Sequence, residues 1–176
     1  MPRNGGRRKT EEPPGGGMHE QDQISGLLAR LHAASPAGFA IALHVRYSAP
    51  RYLFQSYRKD WLDTYSREGL VLHDPVVRWG FSNDGTIRWS ALDDPSGVMK
   101  RAAAFGLCYG AVIAFVRNGS RSMAGCARTD RELTDDEIGE MKGILETLHD
   151  LTERVETLSP AVHMTLRQMS IYLTHG

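Results

Sequence analysis

An apolar run that ends at an Asn-Gly pair restricts the fold more than any other feature of this chain. Residues 110–117 read GAVIAFVR, which predicts a buried strand. Asn118-Gly119 follows at once, and this pair favours the two-residue type I′ turn, whose two central residues both need a positive φ. Residues 122–128 then return as a partner strand. The segment predicts an antiparallel β-hairpin inside a sheet.

The spacing of apolar residues elsewhere predicts helices and further strands around this hairpin. Apolar residues three or four positions apart predict helices, and apolar residues at alternate positions predict strands. A capping box over residues 134–137 marks the start of the longest helix. The expected fold class is α/β, an α-β-α sandwich with a central, mainly antiparallel sheet flanked by helices. We expect helices over 19–34, 56–68, 96–105 and 135–156, a short helix that starts at Pro75, and strands over 39–47, 52–54 and 86–89.

Composition fits one globular domain and indicates neither a nucleic-acid nor a membrane partner. The chain has 176 residues, of which 41% are hydrophobic, and its 21 basic and 21 acidic residues cancel. A neutral chain has no global attraction for phosphates or anionic lipids. No apolar run approaches the ~20 residues that span a bilayer, and no signal peptide begins the chain. Two cysteines do not suggest a disulfide scaffold, so we expect a cytoplasmic protein with reduced thiols.

The two ends of the chain differ in composition from its middle. Residues 1–17 are rich in Gly, Pro and charge, so we expect a disordered N-terminal tail, and Met18 is an alternative start of translation. Residues 18–157 are the expected folded domain. Residues 158–176 open with Leu158-Ser159-Pro160, a typical helix N-terminus, so we expect a linker and one remnant helix there.

Three aromatic residues at intervals of four mark the candidate site. Tyr57, Trp61 and Tyr65 fall on one stripe of an expected helix. Asp74 follows Gly69, a residue suited to end that helix. Two phenols, an indole N–H and a carboxylate facing an apolar interior need hydrogen-bond partners. A polar small molecule with an acyl tail would provide them. The alternative is that the aromatic residues are core and Asp74 caps the next helix.

The same residues resemble the signal-binding domain of LuxR-type quorum-sensing regulators. That family carries Tyr, Trp, Tyr and Asp-Pro at these intervals, then a further Trp and a Gly-rich entry into a strand. Here Trp89-Ser90 and residues 106–110 (GLCYG) match those features. The resemblance covers roughly residues 20–157. It implies that the ligand is an N-acyl-homoserine lactone.

The resemblance also implies a role for each side chain toward such a ligand. Trp61 would donate its indole N–H to the lactone carbonyl, Asp74 would accept the amide N–H, and Tyr57 would donate to the acyl carbonyl. Trp89 would form an apolar wall against the lactone ring, and Tyr65 would close the pocket along the acyl chain. Indole, carboxylate and phenol have the donor and acceptor types that these roles need.

Cys126 takes the position where the family often has Ser or Thr on the return strand of the hairpin. A gapless match places it there, so we include it among the ligand-binding residues, although a thiol is a weak hydrogen-bonding group. The small residues Ala40, Ala124 and Gly125 would leave room for a longer tail, or else reflect tight packing between strands.

The sequence carries no signature of catalysis, of a metal site or of a cofactor. Cysteines and histidines are present, but no nucleophile elbow or catalytic cysteine motif surrounds them. The seven histidines are scattered, without His-Glu-x-x-His or Cys-x-x-Cys spacing. We therefore expect a binding domain with no catalytic residue, no metal and no cofactor.

The last residues bear on how such a domain would act. In the LuxR family a Leu-Ser/Thr-Pro phrase opens the DNA-binding helix-turn-helix domain. Only sixteen residues follow Pro160 here, which is too few for a recognition helix. Residues 131–157 also carry an excess of acids, which phosphates would repel. We therefore expect no direct binding to DNA.

The expected mode of action is association with another protein of the same type. We expect a homodimer, or a heterodimer with a LuxR-type regulator, through the helix at 135–156 and neighbouring surface. Such a domain would modulate quorum-sensing transcription and would inhibit it through heterodimers. The alternative is a truncated interaction module or gene remnant that binds a non-lactone ligand or none.

Overall fold

A computed structural model describes residues 16–47 and 49–153 of the chain. Five helices, five strands and two short 3₁₀ turns make up these residues. The helices are α1 (Gly16–Ala34), α2 (Lys59–Arg67), α3 (Pro75–Ser82), α4 (Val98–Ala104) and α5 (Asp135–Glu153). The strands are β1 (Gly38–Arg46), β2 (Ala49–Gln55), β3 (Gly85–Arg88), β4 (Tyr109–Arg117) and β5 (Ser120–Arg128), and the 3₁₀ turns cover Leu70–His73 and Trp89–Ala91.

The five strands form one antiparallel sheet in the order β2-β1-β5-β4-β3. The hairpin of β4 and β5 lies inside it, as the sequence predicts. Asn118 and Gly119 have φ values of 53° and 73°, the positive values that a type I′ turn needs. Arg117 pairs with Ser120 directly before and after the turn. The α/β sandwich with an antiparallel sheet is confirmed.

Helices cover both faces of the sheet and enclose two separate hydrophobic cores. On one face, α1 and α5 pack over inward-facing residues of the central strands, among them Phe39, Ile41 and Ile113. On the other face, α2, α3 and α4 pack over residues such as Val112 and Ala127. Because side chains alternate along a strand, neighbouring residues of one strand belong to different cores.

Helix α5 begins as its capping box predicts. The Thr134 hydroxyl accepts a hydrogen bond from the Glu137 N–H at 3.2 Å. Its apolar stripe lies in the core under α1 and on the sheet, where Ile138, Met141 and Leu145 are all buried. The described part of this stripe therefore packs against other residues of the same domain. Val155, the last residue assigned to the stripe, lies outside the described residues.

Helix α1 and strand β2 have bounds that differ from the expectations. Helix α1 starts at Gly16, inside the expected tail, whereas residues 1–15 and 154–176 lie outside the described part of the chain. Strand β2 is longer than expected and includes Pro50. A proline lacks the N–H that an interior strand needs, but β2 is an edge strand and tolerates it.

The aromatic helix is also shorter than expected. Helix α2 begins at Lys59, so Tyr57 precedes it, and only Trp61 and Tyr65 share the helix. Arg58, directly before the helix, has the extended φ and ψ of −52° and 138°. The single helical stripe of three aromatic residues was therefore a wrong prediction for Tyr57. In the described part of the chain, no helix is both long and apolar enough to cross a membrane.

Candidate functional site

A cavity of about 280 Å³ lies between the sheet and the layer formed by α2, α3 and α4. Its floor consists of Gln55 and of small and aliphatic residues, which stand in two rows across neighbouring strands. Gln55, Ala40 and Gly125 are paired in the first row. Leu53, Ala42 and Met123 form the second row. An apolar floor with a few polar groups at one end is typical of a small-molecule site.

Tyr57 lies between two glycines that make room for it. A Cβ at Gly38, where φ is +109°, would lie 2.7 Å and 2.9 Å from atoms of Tyr57. A Cβ at Gly125 would lie 3.2 Å from the Tyr57 hydroxyl oxygen. That hydroxyl donates to the Gly125 carbonyl oxygen at 3.2 Å. Burial raises the pKa of Tyr57 well above its ordinary value, so the phenol stays a donor.

Trp61 and Tyr65 follow on successive turns of α2 and contact each other. Their ring centroids are 5.7 Å apart in an edge-on arrangement. The Trp61 side chain is buried, with 4% of its surface exposed, and it lines the cavity. Its indole N–H makes no hydrogen bond with the described residues. A ligand acceptor would satisfy this donor, because an indole can only donate.

Asp74 accepts two hydrogen bonds from the protein. The Tyr65 hydroxyl donates to Oδ2 at 2.7 Å, and the Val76 N–H donates to Oδ1 at 2.9 Å and so caps α3. Burial raises the pKa of Asp74, and these hydrogen bonds oppose the rise. A carboxylate offers about four acceptor positions, so a further donor can still bind. Helix capping and a role in the site are therefore compatible.

Trp89 forms one wall of the cavity at the start of a 3₁₀ turn, one residue beyond the strand that was expected to hold it. Only 6% of its surface is exposed. Its indole lies so close to Gly110 that a Cβ at this glycine would collide with the ring. Close packing against Trp89 therefore explains why a glycine lies at the start of β4. The indole N–H of Trp89 is buried and has no hydrogen-bond partner among the described residues.

Cys126 does not join the other five predicted site residues. Side chains alternate along β5, so Met123 and Gly125 face the cavity, whereas Cys126 lies in the core under α1 and α5 with none of its surface exposed. Burial raises the pKa of its thiol to about 12. The expected contact of Cys126 with a ligand is corrected on this ground. Gly125 and Ala127, its neighbours on β5, are the ones directed to the cavity side of the sheet.

The part of the cavity built by β2, Val71 and Phe81 was not predicted from the sequence. Gln55 and Leu53 line the floor, and Val71 and Phe81 lie at the partly exposed rim. The alternation of β2 contains the signal, because Tyr52 and Phe54 face the opposite core. Within the described residues, no group of His, Cys, Asp and Glu side chains is arranged to hold a metal ion.

The fold and the cavity define a domain built around a small-molecule pocket. A family model for the autoinducer-binding domain matches residues 23–154, which is well over half of the chain. The chain therefore belongs to the autoinducer-binding domain family, the signal-binding part of LuxR-type quorum-sensing regulators. This is a family of signal-binding regulator domains and not an enzyme family.

Solved structures of LuxR-type proteins share the fold. CepR2 from Burkholderia cenocepacia, an N-acylhomoserine lactone-dependent LuxR family transcription factor, is 20% identical with a TM-score of 0.52, over 78% of this chain and 93% of that one. Escherichia coli SdiA is 15% identical with a TM-score of 0.59, over 81% of this chain and 68% of that one.

A second SdiA structure, in complex with octanoyl-rac-glycerol, is 18% identical with a TM-score of 0.56, over 85% of this chain and 62% of that one. At these identities the likeness concerns the fold alone. Among curated proteins, none matches the sequence.

Proposed function

We propose that this domain binds an N-acyl-homoserine lactone in the cavity between the sheet and α2, α3 and α4. The observation that carries the proposal is the meeting of Tyr57, Trp61 and Asp74 at one cavity whose floor is otherwise apolar. Such a ligand has a polar head with two carbonyls and one amide N–H, and an aliphatic tail. The cavity offers a matching division between its polar end and its apolar floor.

The resemblance to LuxR-type domains supplies the roles of the polar side chains, and their hydrogen-bonding capacity is compatible with those roles. The free indole N–H of Trp61 donates to the lactone carbonyl, and Asp74 accepts the amide N–H through a remaining lone pair. Tyr57 turns its hydroxyl from the Gly125 carbonyl to the acyl carbonyl. Trp89 packs against the lactone ring, and Tyr65 holds Asp74 in place. The tail lies over the floor rows that contain Ala42 and Leu53.

The domain acts as a cytoplasmic signal sensor without catalytic activity. It modulates quorum-sensing transcription by pairing with a full-length LuxR-type regulator, and such pairs are inhibitory. Homodimers form through the surface around α5. Since the described apolar stripe of α5 lies in the core, the contact surface consists of the outer face of α5 and its neighbours.

A second ligand class has an observation in its favour. The cavity-facing position of β5 is Gly125, so the strand offers no hydroxyl at that point to hold a lactone carbonyl region. The solved SdiA complex with octanoyl-rac-glycerol shows that a structural neighbour holds an acyl glycerol. An acyl glycerol lacks the amide N–H, so Asp74 would accept from a hydroxyl group instead.

Mass spectrometry of the purified protein separates these ligand classes. The protein is produced in cells fed a mixture of acyl-homoserine lactones, and the bound small molecules are extracted and weighed. The proposal predicts one or a few lactones that are lost in the Trp61→Phe variant and kept in Trp79→Phe, a change outside the cavity lining. Recovery of an acyl glycerol alone, or of no ligand, contradicts the lactone proposal.

A further inference from the structure

Two buried histidines lie on the face of the sheet opposite the cavity. His44 of β1 and His149 of α5 have 4% and 0% of their surfaces exposed, and their ring centroids are 4.3 Å apart. They stand between the end of α5, the β4–β5 hairpin and β1. The function proposed above makes no use of this pair.

The hydrogen bonds of the pair fit two neutral imidazoles. His149 Nε2 lies 3.2 Å from the Arg117 carbonyl oxygen and donates to it, so its Nδ1 accepts from the Ser122 hydroxyl at 2.7 Å. His44 Nε2 lies 3.0 Å from the His149 carbonyl oxygen, so its Nδ1 accepts from the Ser120 hydroxyl at 2.8 Å. With both rings uncharged, each ring nitrogen has a partner of the matching donor or acceptor type.

The same pair holds the end of α5. His44 Nε2 also lies 3.0 Å from the Thr152 hydroxyl oxygen. Because Thr152 donates its own proton to the Leu148 carbonyl at 2.7 Å, its oxygen accepts from His44. The last described turn of α5 is thereby bonded to β1 through one imidazole.

On the β1 side, His44 lies where the strand alternation breaks. Its φ is +54°, and the register between β1 and β5 shifts between Ala42 and Val45. Both of these neighbours line the ligand cavity, whereas His44 faces α5. A regular strand would place residue 44 on the cavity face with Ala42. The bonds to α5 hold the strand in its irregular form.

Charged side chains surround the pair from three elements. They act on the imidazoles with both signs, so they do not select the charged form of either ring. They are Arg51 on β2, Arg117 on β4, and Asp150 and Glu153 on α5. Arg117 is itself paired with Glu146 and Asp150.

We propose that the His44–His149 pair is a proton-sensitive latch that joins the end of α5 to the β1 wall of the cavity, so that acidification releases both and weakens ligand binding. The inference rests on the proposed function for its ligand. A proton on either Nδ1 removes the acceptor for a serine hydroxyl, and two cations at this separation repel each other. Released from α5, β1 returns to regular alternation and turns residue 44 toward the cavity.

The pKa values of both histidines are lowered, as expected for imidazoles that this geometry holds in the neutral form. Burial lowers the pKa of His44 from 6.5 to about 4, with the neighbouring His149 adding to the fall, and burial also lowers the pKa of His149. Opening of the latch restores ordinary values and takes up protons. For His44 alone, the opening equilibrium rises about thirtyfold between pH 7.5 and pH 5.

Amide hydrogen exchange of the ligand-free protein tests the latch. After correction for the intrinsic exchange rate, amides 147–153 of α5 and 44–46 of β1 are expected to lose protection together, by at least about thirtyfold from pH 7.5 to pH 5. Amides 111–114 in the centre of β4 keep theirs. A uniform loss over the whole domain, or no loss at the latch, overturns the inference.

Variants that replace one histidine at a time test whether the two imidazoles cause the pH response. His44→Gln and His149→Asn keep one donor and one acceptor but do not titrate, so the local loss of protection at pH 5 is expected to shrink. His32→Gln, which changes an exposed histidine at the end of α1, keeps the wild-type response. If the latch variants respond to pH as the wild type does, the pair is not the sensor. The wild-type exchange pattern decides the matter if a variant does not fold.

N-decanoyl-homoserine lactone tests the link to the cavity. At pH 7.5 it is expected to raise the protection of amides 147–153, and its affinity is expected to fall by pH 5, by at most about thirtyfold, in the wild type but not in the two latch variants. Binding seen by calorimetry without either effect refutes the link and leaves the proposed function intact. If no acyl-homoserine lactone binds at pH 7.5, the proposed function is wrong, and so is the predicted effect of the latch on ligand binding. The exchange pattern of the ligand-free protein still shows whether the latch exists.

Discussion

At the scale of single residues, Asp74 shows how one side chain serves structure and site together. It caps α3 through the Val76 N–H and accepts the Tyr65 hydroxyl. The sequence alone left a choice between helix cap and ligand acceptor. In the structure the cap orients the carboxylate at the cavity wall, so capping and ligand binding are compatible. The aromatic residues around it owe their places to glycines 38, 110 and 125.

Asp74→Asn should weaken ligand binding far more than it weakens the fold. Asparagine still caps a helix, so the melting temperature of the free protein should fall only slightly. Losing the charge-assisted bond to the ligand amide should cost about 1.5–3 kcal/mol, or roughly ten- to a hundredfold in affinity. Thermal shift with and without decanoyl-homoserine lactone measures both effects. Asp63→Asn, on the exposed side of α2, is the matched control.

Trp61→Phe removes the indole donor and keeps an aromatic ring. The expected loss of ligand affinity is about 1–3 kcal/mol, because the lactone carbonyl is left buried without a partner. Trp79→Phe removes an indole from the same half of the molecule but not from the cavity, so it should leave the affinity unchanged. Equal losses of affinity in the two variants, measured by calorimetry, would count against a ligand bond at Trp61.

At the scale of elements, alternation and helical spacing foretold most of the fold. The hairpin, α3 after Pro75 and α5 after its capping box were all foreseeable from local chemistry. The side of the sheet on which the Cys126 side chain lies was not foreseeable, because a gapless match ignores which way a strand side chain points. The bulge at His44 was also missed, since the contacts that stabilise its positive φ come from α5, far along the chain.

Gly110→Ala tests the packing of Trp89 on β4. A Cβ at residue 110 would collide with the indole, so the ring must move away from the sheet and into the cavity. We expect a loss of about 1–3 kcal/mol in the free energy of unfolding, together with weaker ligand binding. Gly139→Ala is the control, because its Cβ would meet open space on α5 and should stabilise the helix by about 1 kcal/mol. Urea unfolding of both variants measures these changes in the free energy of unfolding and shows whether residue 110 tolerates a Cβ.

At the scale of the whole molecule, the sheet separates the side that contains the cavity from the side covered by α1 and α5. The first contains the cavity, and the second contains a continuous hydrophobic core and the histidine pair. Strand β1 takes part in both, because its residues alternate between the two cores. A structural change on one face of the sheet can therefore be transmitted to the other face through β1, while the strand order stays the same.

The stability of the molecule should fall in weak acid because of the histidine pair. His44 has a pKa of about 4 in the folded protein and near 6.5 when unfolded, so its contribution is complete above pH 6.5 and is lost as pH falls toward 4. The loss amounts to roughly 3 kcal/mol for this residue. Urea unfolding at several pH values measures it as the difference between wild type and His44→Gln. If both proteins lose stability equally as the pH falls, His44 is not the source of the loss.

Calorimetric titration with N-decanoyl-homoserine lactone at two temperatures tests whether this cavity binds acyl-homoserine lactones. We expect saturable binding of one lactone per chain, with a negative heat-capacity change because the acyl tail leaves water for the apolar floor of the cavity. The use of two temperatures ensures that a binding enthalpy near zero at one of them is not mistaken for absence of binding. No saturable heat at either temperature, from protein shown to be folded, would contradict the claim that this cavity is a receptor for acyl-homoserine lactones.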